Sequence, residues 1–392
     1  AELITAFALG FDWLHHMLPA EDLDMIRTAM TEKGLQIGLE EHRKDIWWAH
    51  HRYNWNQVCN GALIIGALSL AEEEGELASR VFDVASAPLL VAFNSYGEDG
   101  GWEAGPDYWE YTTWYAVLLL DALQDLYGHD LGLASTPGFD QTGLFPLYAS
   151  GPSKRYVNFG DSADDVHGLP VLFWLGKRFG LDHCIEENHR MLAADLESGH
   201  AMDPFQLLWY EQRPGELRPL PLSRVFRGIQ AGFFRSAWHD PSATFLGFNG
   251  GANQADHAHL DLGSFVLDMD GVRWVLDLGR DDYDLPGYFD PSEGGGRWQY
   301  FRLNNHSHNT LVINGDLQRA DATAGIFDYM ASRDMQQASL DLGEAYAPHV
   351  DGLIRTFRMQ AGRVSVEDTI HWKAGEHSLQ WQICTDAEVG IC

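Results

Sequence analysis

The chain has 392 residues, too many for one ordinary hydrophobic core, so two domains or one very large domain are expected. Hydrophobic residues make up 45% of the chain and aromatic residues 12%, which excludes a disordered protein. Lysine and arginine number 26 against 57 acidic residues, and a formal net charge of −31 excludes nucleic acids and anionic membranes as partners by long-range repulsion.

The first thirty residues have the pattern of an amphipathic helix and lack the basic region of a signal peptide. We therefore expect Ala1 to lie inside a longer natural chain. No apolar run is long enough for a membrane helix, so membrane insertion is not expected. The four cysteines form no CxxC pair, which argues against a disulfide framework or a zinc knuckle; they are Cys59, Cys184, Cys384 and Cys392.

Residues 1–220 are predicted to be helical. Apolar residues recur every three or four positions in YNWNQVCNGALIIGALSLAEEE, YTTWYAVLLLDALQDLYG and GLPVLFWLGKRFGL, with Gly and Pro between these segments. Long apolar helices joined by loops of varied length indicate paired helices stacked around an axis.

The pattern changes near residue 220, where Pro and Arg cluster in RPGELRPLPLSRVFRG. Beyond it lie short β-rich runs such as ATFLGFN, GSFVLDMDGVRWVLDLG and IRTFRMQAGRVSVEDTI, separated by turn signals. Residues 221–392 are therefore predicted to form an antiparallel β domain of two sheet layers, one that continues beyond the given C-terminus.

Within the β half, residues 252–265 read ANQADHAHLDLGSF. If this stretch is a strand, alternation directs His257 and His259 to one face, followed by Asp261. A solvated polar edge is the alternative interpretation.

Three stretches, in this order, resemble the heparinase II/III-like polysaccharide lyases, a superfamily that includes alginate lyases. They are RYNWNQVCNGAL, GGWEAGPDYW, and ADHAHLDLGSFVLDMDGVRWVLDLG with HSHNTLVING. The resemblance implies an α+β multidomain fold, with an incomplete (α/α) toroid followed by an antiparallel β-sandwich and a site in the cleft between them. It also implies β-elimination at a uronic acid, giving an unsaturated product, with alginate-type polymers as first choice and glycosaminoglycans as second.

The resemblance assigns the proton transfers to Tyr108 and His257 and leaves open which of them is the base. Elimination requires a base for the C5 proton, an acid for the leaving oxygen, and a partner for the uronate carboxylate. Asn54 matches the carboxylate-binding Asn of the family, and an amide can donate hydrogen bonds without titrating. Trp55 stands where many relatives have a histidine.

The same resemblance implies one structural zinc ion bound by His259, Asp277 and His308, with His306 as a rival ligand. Two imidazoles and a carboxylate are a donor set that zinc accepts. A hydrogen-bonded cluster of these side chains without metal is the alternative.

Further side chains are predicted to contact substrate. The candidate sugar platforms or carboxylate partners are Arg52, Trp102, Glu103, Trp109, Arg280 and Trp298, with Arg297 as another cation. The stretch GDSADDVHG, residues 160–168, also resembles a family loop, and its aspartates are predicted to cap a helix.

Two rival functions stay open: a glycoside hydrolase on an α/α toroid, with Glu103 and Asp107 as its carboxylates, and a non-catalytic carbohydrate-binding protein. The expected partner is an anionic polysaccharide or oligosaccharide, and a homodimer is left open. A periplasmic or secreted location is expected, with the cytoplasm as the alternative.

Overall fold

The computed structural model describes residues 1–388. The chain divides into two compact units. The first contains Ala1–Gly97 and Glu110–Asp140, and the second contains Glu98–Trp109 and the chain from Gln141 onward. Among the described residues, no helix is both long and apolar enough to cross a membrane.

The first unit is helical. Its helices are α1 (Glu2–Leu14), α2 (Ala20–Met30), α3 (Gln36–Arg43), α4 (Trp47–His50), α5 (Asn54–Ser69), α6 (Gly75–Ser86), α7 (Leu89–Phe93) and the part of α8 (Gly105–Tyr127) that follows Trp109. A π-helical turn, Thr31–Leu35, joins α2 to α3.

Helix α5 is the most buried helix of this unit. It begins at Asn54 because Tyr53 is extended, with ψ 165°. Its side chains are apolar or amide on nearly every face, as expected for a helix surrounded by others. It packs against α1 and α6, and its Val58 and Ala62 form a small core with Tyr115.

The second unit carries the remaining helices and the strands. The helices are α9 (Leu144–Ala149), α10 (Pro170–Phe179), α11 (Asp182–Ser198) and α12 (Phe205–Leu208). Helix α10 has Pro170 in its first turn, where its fixed φ costs nothing, and ends at Gly180 in the left-handed conformation, φ 68°. It packs against α11.

Within residues 1–388 every strand pair is antiparallel. The strands are β1 (Ser223–Phe226), β2 (Ala231–Arg235), β3 (Phe245–Asn249), β4 (Gly251–Ala252), β5 (Phe265–Met269), β6 (Val272–Val275), β7 (Leu311–Ile313), β8 (Thr323–Ala324), β9 (Ile326–Ala331), β10 (Met335–Asp341), β11 (Val350–Gln360), β12 (Arg363–Trp372) and β13 (Leu379–Trp381). The two main sheets have the orders β1-β2-β3-β5-β6 and β12-β11-β10-β9, with short pairs β13-β7 and β4-β8.

The two main sheets share one hydrophobic core. Phe248 of β3 stacks on Phe357 of β11, with ring centroids 4.4 Å apart, and Leu340 of β10 is fully buried in the same cluster. Arg355 of β11 is buried beside this core and makes two 2.8 Å hydrogen bonds with Asp368. Side chains from both sheets therefore face each other as in a β-sandwich.

The predicted fold class is confirmed, since helices come first and antiparallel sheets follow. The last helix ends at Leu208 and the first strand begins at Ser223. The compact units nevertheless divide the chain elsewhere, because residues 98–109 belong with the β-rich unit. The domain division at residue 220 therefore stays a prediction.

Candidate active site

The candidate site of the second unit is organised around one buried carboxylate, that of Asp161. Its Oδ2 pairs with Nδ1 of His257 at 2.8 Å, and its Oδ1 pairs with Nε2 of His259 at 2.9 Å. Oδ1 also accepts hydrogen bonds from the Tyr288 hydroxyl at 2.6 Å and from Arg297 Nη2 at 3.1 Å. Four donors from three separate stretches of the chain therefore converge on a side chain without solvent exposure.

These contacts determine the charge of Asp161. Burial alone would raise the pKa of this carboxyl, but hydrogen bonds from His257 and His259 and the charge of Arg297 hold it well below its ordinary value. The carboxylate is therefore ionised and can only accept hydrogen bonds. Nδ1 of His257 must carry a proton in this contact, which leaves Nε2 of the neutral ring with a lone pair.

Tyr108 lies in the first turn of α8 and stacks on His257. Their ring centroids are 4.1 Å apart and the planes differ by 25°. The Tyr108 hydroxyl forms a hydrogen bond with the Tyr283 hydroxyl, which lies 3.5 Å from Nδ1 of His257. The structure thus brings together the two predicted proton-transfer residues, although their roles stay a prediction.

The environment of Tyr108 favours the neutral phenol. Burial raises its pKa above the ordinary value, and the hydrogen bond and partial charge of Tyr283 raise it further, against a lowering effect of Arg280. Burial also raises the pKa of Tyr283 to about 12. At neutral pH, Tyr108 can therefore donate a proton but is not a phenolate.

His257, His259 and Asp261 do not lie on a strand, so the alternation argument was wrong. They belong to the loop between β4 and β5, and His257 has the left-handed value φ 59°. Gly160 lies directly against this loop, where a Cβ would come within 2.6 Å of the His257 carbonyl oxygen. The backbone N–H of Asp161 donates to the same oxygen at 3.0 Å. Backbone contacts, not strand periodicity, fix the position of His257.

The three predicted zinc ligands lie close together and are buried. Nδ1 of His308 is 2.7 Å from Oδ2 of Asp277, and the rings of His259 and His308 are 5.2 Å apart. Asp277 directly follows β6, and His308 precedes β7 by three residues. Residues 1–388 contain no group of three or more His, Cys, Asp or Glu side chains arranged to hold a metal.

Two nitrogen atoms in this cluster nevertheless suit a metal. Nδ1 of His259 and Nε2 of His308 are buried and make no hydrogen bond to a described residue. Burial lowers the pKa of His259 to about 4, so its ring is neutral, which is the form that binds metal. Conversely, burial lowers the pKa of His308, but the charge and hydrogen bond of Asp277 and the charge of Asp261 together raise it above its ordinary value, as in a metal-free ion pair. Zinc at this position stays a prediction.

The predicted cation Arg280 lies beside Tyr108 and is half-exposed. Its Nη1 is 3.7 Å from a carboxylate oxygen of Asp107, and its guanidinium is 5.9 Å from the Tyr283 ring. Arg297, by contrast, is buried and donates to the backbone carbonyls of His257 and Ala258. Arg280 is therefore available to an anionic ligand, whereas Arg297 holds the histidine loop.

The other predicted acidic and cationic contacts differ in exposure. Glu103 is half-buried. The pKa of Asp256 rises to about 6, first through burial, and the charge of Glu103 adds to the rise. Arg52 is exposed, belongs to the first unit, and its carbonyl accepts a hydrogen bond from Ser95 at 2.7 Å.

The three predicted tryptophan platforms are core residues. Trp102, Trp109 and Trp298 are 3%, 0% and 2% exposed, and a ring without an exposed face cannot stack on a sugar. The indole N–H groups of Trp109 and Trp298 bind Thr142 Oγ1 and backbone carbonyls inside the protein. The exposed ring in this region is that of Phe289, 61% exposed and 6.5 Å from the His257 ring.

Asn54 opens helix α5 in the first unit. It is 2% exposed, and its Oδ1 has no hydrogen-bond partner among the described residues. The neighbouring amide of Asn56 is used internally, since its Nδ2 donates to the carbonyls of His51 and Pro88. Asn54 is thus the freer of the two amides, and its carboxylate-binding role stays a prediction.

Sequence reasoning missed the residues that connect the site. Asp161 was assigned to a helix cap, but α10 begins at Pro170 with no side-chain cap, and Asp161 instead pairs with two histidines. Tyr283 and Tyr288 were not singled out. The one sequence feature that could have pointed to Asp161 was its loop, GDSADDVHG, because that stretch resembles a family loop. Nothing local indicated a partner about a hundred residues away.

Comparisons with known proteins agree with this architecture. The structure is similar to a mutant of the heparan sulfate lyase HepC from Pedobacter heparinus, with a TM-score of 0.60 and 16% identity over 83% of this chain and 47% of that chain. It is also similar to a heparinase III, with a TM-score of 0.59 and 16% identity over 83% of this chain and 49% of that one. The chain therefore spans about half the length of these structures and has their fold class.

Residues 221–390 match the protein family described as Heparinase II/III-like, C-terminal. This match covers the β-rich part of the chain. No curated protein matches the chain.

Proposed function

We propose that the protein is a polysaccharide lyase that cleaves a uronic-acid-containing chain by β-elimination. The observation that carries this proposal is a neutral phenol, Tyr108, stacked on an imidazole, His257, that a buried carboxylate fixes in one tautomer. An acid and a base side by side are what elimination requires. The family match and the lyases among the structural neighbours support the reaction class.

His257 is the proposed base. Asp161 holds the proton on Nδ1, so Nε2 can accept the C5 proton of the uronate. The electron pair of the broken C–H bond forms the C4–C5 double bond, and the C4–O glycosidic bond breaks. Asp161 stabilises the imidazolium formed and does not itself take a proton.

Tyr108 is the proposed acid. The raised pKa keeps its proton at neutral pH until the leaving glycosidic oxygen develops negative charge. Tyr283, whose hydroxyl binds that of Tyr108, orients the phenol. Each proton is then accounted for: one moves from C5 to His257, and one moves from Tyr108 to the leaving group.

The uronate carboxylate needs a partner that stabilises the enolate-like intermediate. Within the second unit, Arg280 is a half-exposed cation beside Tyr108 and suits this role. Asn54 is the second proposed partner, by its match to the family motif. Phe289 is the proposed ring that contacts a sugar.

We further propose that His259, Asp277 and His308 bind one structural zinc ion. The two buried ring nitrogens without hydrogen bonds support it. When bound, the ion would hold together three segments that carry the histidine loop. Protein purified without added metal should contain about one zinc per chain, and His259→Ala should lose it together with thermal stability. Exposed His200→Ala is the control, and unchanged metal content in His259→Ala would remove the site.

The function is tested with a panel of uronate polymers and oligomers, alginate-type and glycosaminoglycan. The expected result is an ultraviolet-absorbing unsaturated uronate at the new non-reducing end. Heparan-type chains come first in the panel because heparan sulfate lyase is among the structural neighbours. New reducing ends without that absorbance would indicate a hydrolase, and binding without turnover a carbohydrate-binding protein.

A further inference from the structure

Two cavities of about 680 and 630 Å³ lie in the second unit, and neither is lined by Tyr108 or His257. The walls are helix α11, the loop after α9 and the turn after β2. The cavities adjoin, because both are lined by Glu187, Arg190, Arg213, Ala237, Trp238 and His239. We call this continuous space the α11 groove. Its size is that of sites for small ligands.

The groove is lined by as many cationic as acidic side chains, in a protein whose net charge is −31. The cations are Lys154, Arg190, Arg213, Arg235 and Arg333, and the acids are Glu186, Glu187, Glu197, Glu216 and Asp240. Arg190 and Arg213 both bind the carboxylate of Glu186, at 3.0 and 3.2 Å. Two guanidinium groups therefore share the carboxylate of Glu186, and neither has that carboxylate to itself. Lys154, exposed on the groove wall, forms no ion pair with any residue in 1–388. The groove therefore offers cations to an incoming anion.

Arg235 forms the floor of the groove and is 6% exposed. Its Nη2 donates to three carbonyl oxygens at the end of α9, at 2.9 to 3.2 Å. Its Nε, however, has no hydrogen-bond partner among the described residues. A buried donor without a partner is costly, so part of the hydrogen-bonding capacity of Arg235 is unused at the groove floor.

Trp238 supplies a fixed aromatic surface. Its indole N–H donates to the carbonyls of Leu220 and Pro221 at 3.0 and 3.2 Å, and Arg235 covers the ring at 3.5 Å. A half-buried ring held in this way can contact a sugar without losing side-chain entropy on binding.

One acid of the groove, Glu187, opposes an anion less than its formal charge suggests. Burial raises the pKa of Glu187, although Arg190 and Arg235 act against the rise. The backbone is also unusual, since Lys154 and His239 have φ 58° and φ 57°. Such conformations in residues other than glycine concentrate at ligand sites.

We propose that the α11 groove binds an acidic oligosaccharide, with Arg190 and Arg213 pairing with a carboxylate while a sugar ring lies along Trp238. The choice of a uronate ligand rests on the proposed function. Binding in the groove does not depend on catalytic turnover. The site would retain polymer chains or product at a distance from the reacting groups.

The experiment measures binding of a saturated uronate tetrasaccharide to the full chain by calorimetry, in a Tyr108→Phe background that slows turnover. The test variant is Arg190→Gln with Arg213→Gln, which removes two partly exposed positive charges and leaves Arg235 in place. The matched control is Arg319→Gln, an exposed arginine paired with Asp321 elsewhere. We expect the double variant to bind about tenfold more weakly or worse at one of two sites, and the control to bind normally.

Unchanged affinity and stoichiometry in the double variant would overturn the proposal. Equal binding of a neutral glucose tetrasaccharide would overturn the anionic ligand class, and preferential binding of a glutamate peptide would assign the groove to an acidic peptide instead. The proposed function can fail separately. If the chain cleaves no uronate polymer but the double variant still loses tetrasaccharide binding, the lyase proposal is wrong and the groove proposal stands.

Discussion

Tyr108 shows how the surroundings of one side chain select its chemistry. A phenol becomes a base only if positive charge lowers its pKa. Here burial and the Tyr283 hydroxyl raise that pKa, and the partly exposed Arg280 does not reverse the rise. The imidazole stacked beside it has an ionised carboxylate behind it. The proposed division of roles, with the phenol as acid and the imidazole as base, rests on these neighbours.

Tyr108→Phe is expected to lower turnover about 100- to 10,000-fold, the usual effect of losing a general acid. The ring and its stacking on His257 are retained, so the melting temperature should change little. Turnover is followed by the absorbance of the unsaturated product. Tyr111→Phe, which removes a hydroxyl one turn later in the same helix, is the control. Near-normal turnover of Tyr108→Phe would end this mechanism.

Phe289→Ala is expected to raise KM about 3- to 10-fold with little change in kcat, because an exposed ring contacts substrate and transition state alike. Initial rates over a range of substrate concentration check this. Phe301, 60% exposed against 61% for Phe289, provides the matched alanine control. Equal effects of both substitutions would show that Phe289 makes no specific contact.

At the scale of elements, the site depends on two loops that meet through their backbones. The loop after residue 157 approaches the β4–β5 loop where Gly160, φ 62°, lies against the His257 carbonyl. Only glycine combines this φ with the absence of a Cβ. Loops positioned by a rigid scaffold are common locations of function, and here the sandwich core supplies the scaffold.

Gly160→Ala is expected to lower both the free energy of unfolding and turnover. The left-handed backbone costs about 1–2 kcal/mol for a residue with a Cβ, and the contact with His257 adds to this. Gly180→Ala is the control, since Gly180 has φ 68° with open space around it. Denaturant unfolding and product absorbance measure both effects. If the two variants lose equal stability and keep equal turnover, the backbone contact does not matter.

The sequence predicted which segments are helices and strands better than it predicted which residues meet in the candidate site. Apolar alternation indicates the strand at Val350–Gln360, because packing imposes a period on its buried face. The helix at Asn54–Ser69 is indicated instead by the length of its apolar run, since it is buried on nearly every face. Loops carry no such period. The histidine stretch looked like a strand because residues of alternating polarity stood next to β5. Asp161 could not be identified, because its contacts join residues 96 and 98 positions apart.

At the scale of the whole molecule, the net charge of −31 acts against an anionic substrate. Screening lengths fall from about 30 Å at 0.01 M salt to about 8 Å at 0.15 M. Added salt should therefore raise kcat/KM for a polymeric uronate at low ionic strength, as long-range repulsion weakens. Rates across a sodium chloride series test this. A steady fall with salt would mean that local cations such as Arg280 dominate the encounter.

The overall architecture could be predicted because helices precede strands along the chain, and the family motifs occur on matching segments. The prediction of tryptophan platforms was wrong because burial of a large aromatic side chain gives a large gain in stability. Trp109, for example, has no exposed surface. Exposure depends on the folded surface, which no local pattern contains. Phe289, which no motif singled out in the sequence, keeps an accessible ring.

The convergence of four donors on Asp161 has a consequence for how the protein can change. Groups that share one acceptor do not contribute independently, so a double-mutant cycle on His257 and His259 should show a coupling of about 0.5–3 kcal/mol. Replacing one of the four donors leaves the other three in positions that suit a carboxylate with four hydrogen bonds. We therefore expect substitutions of these donors to be tolerated when several change together rather than one at a time.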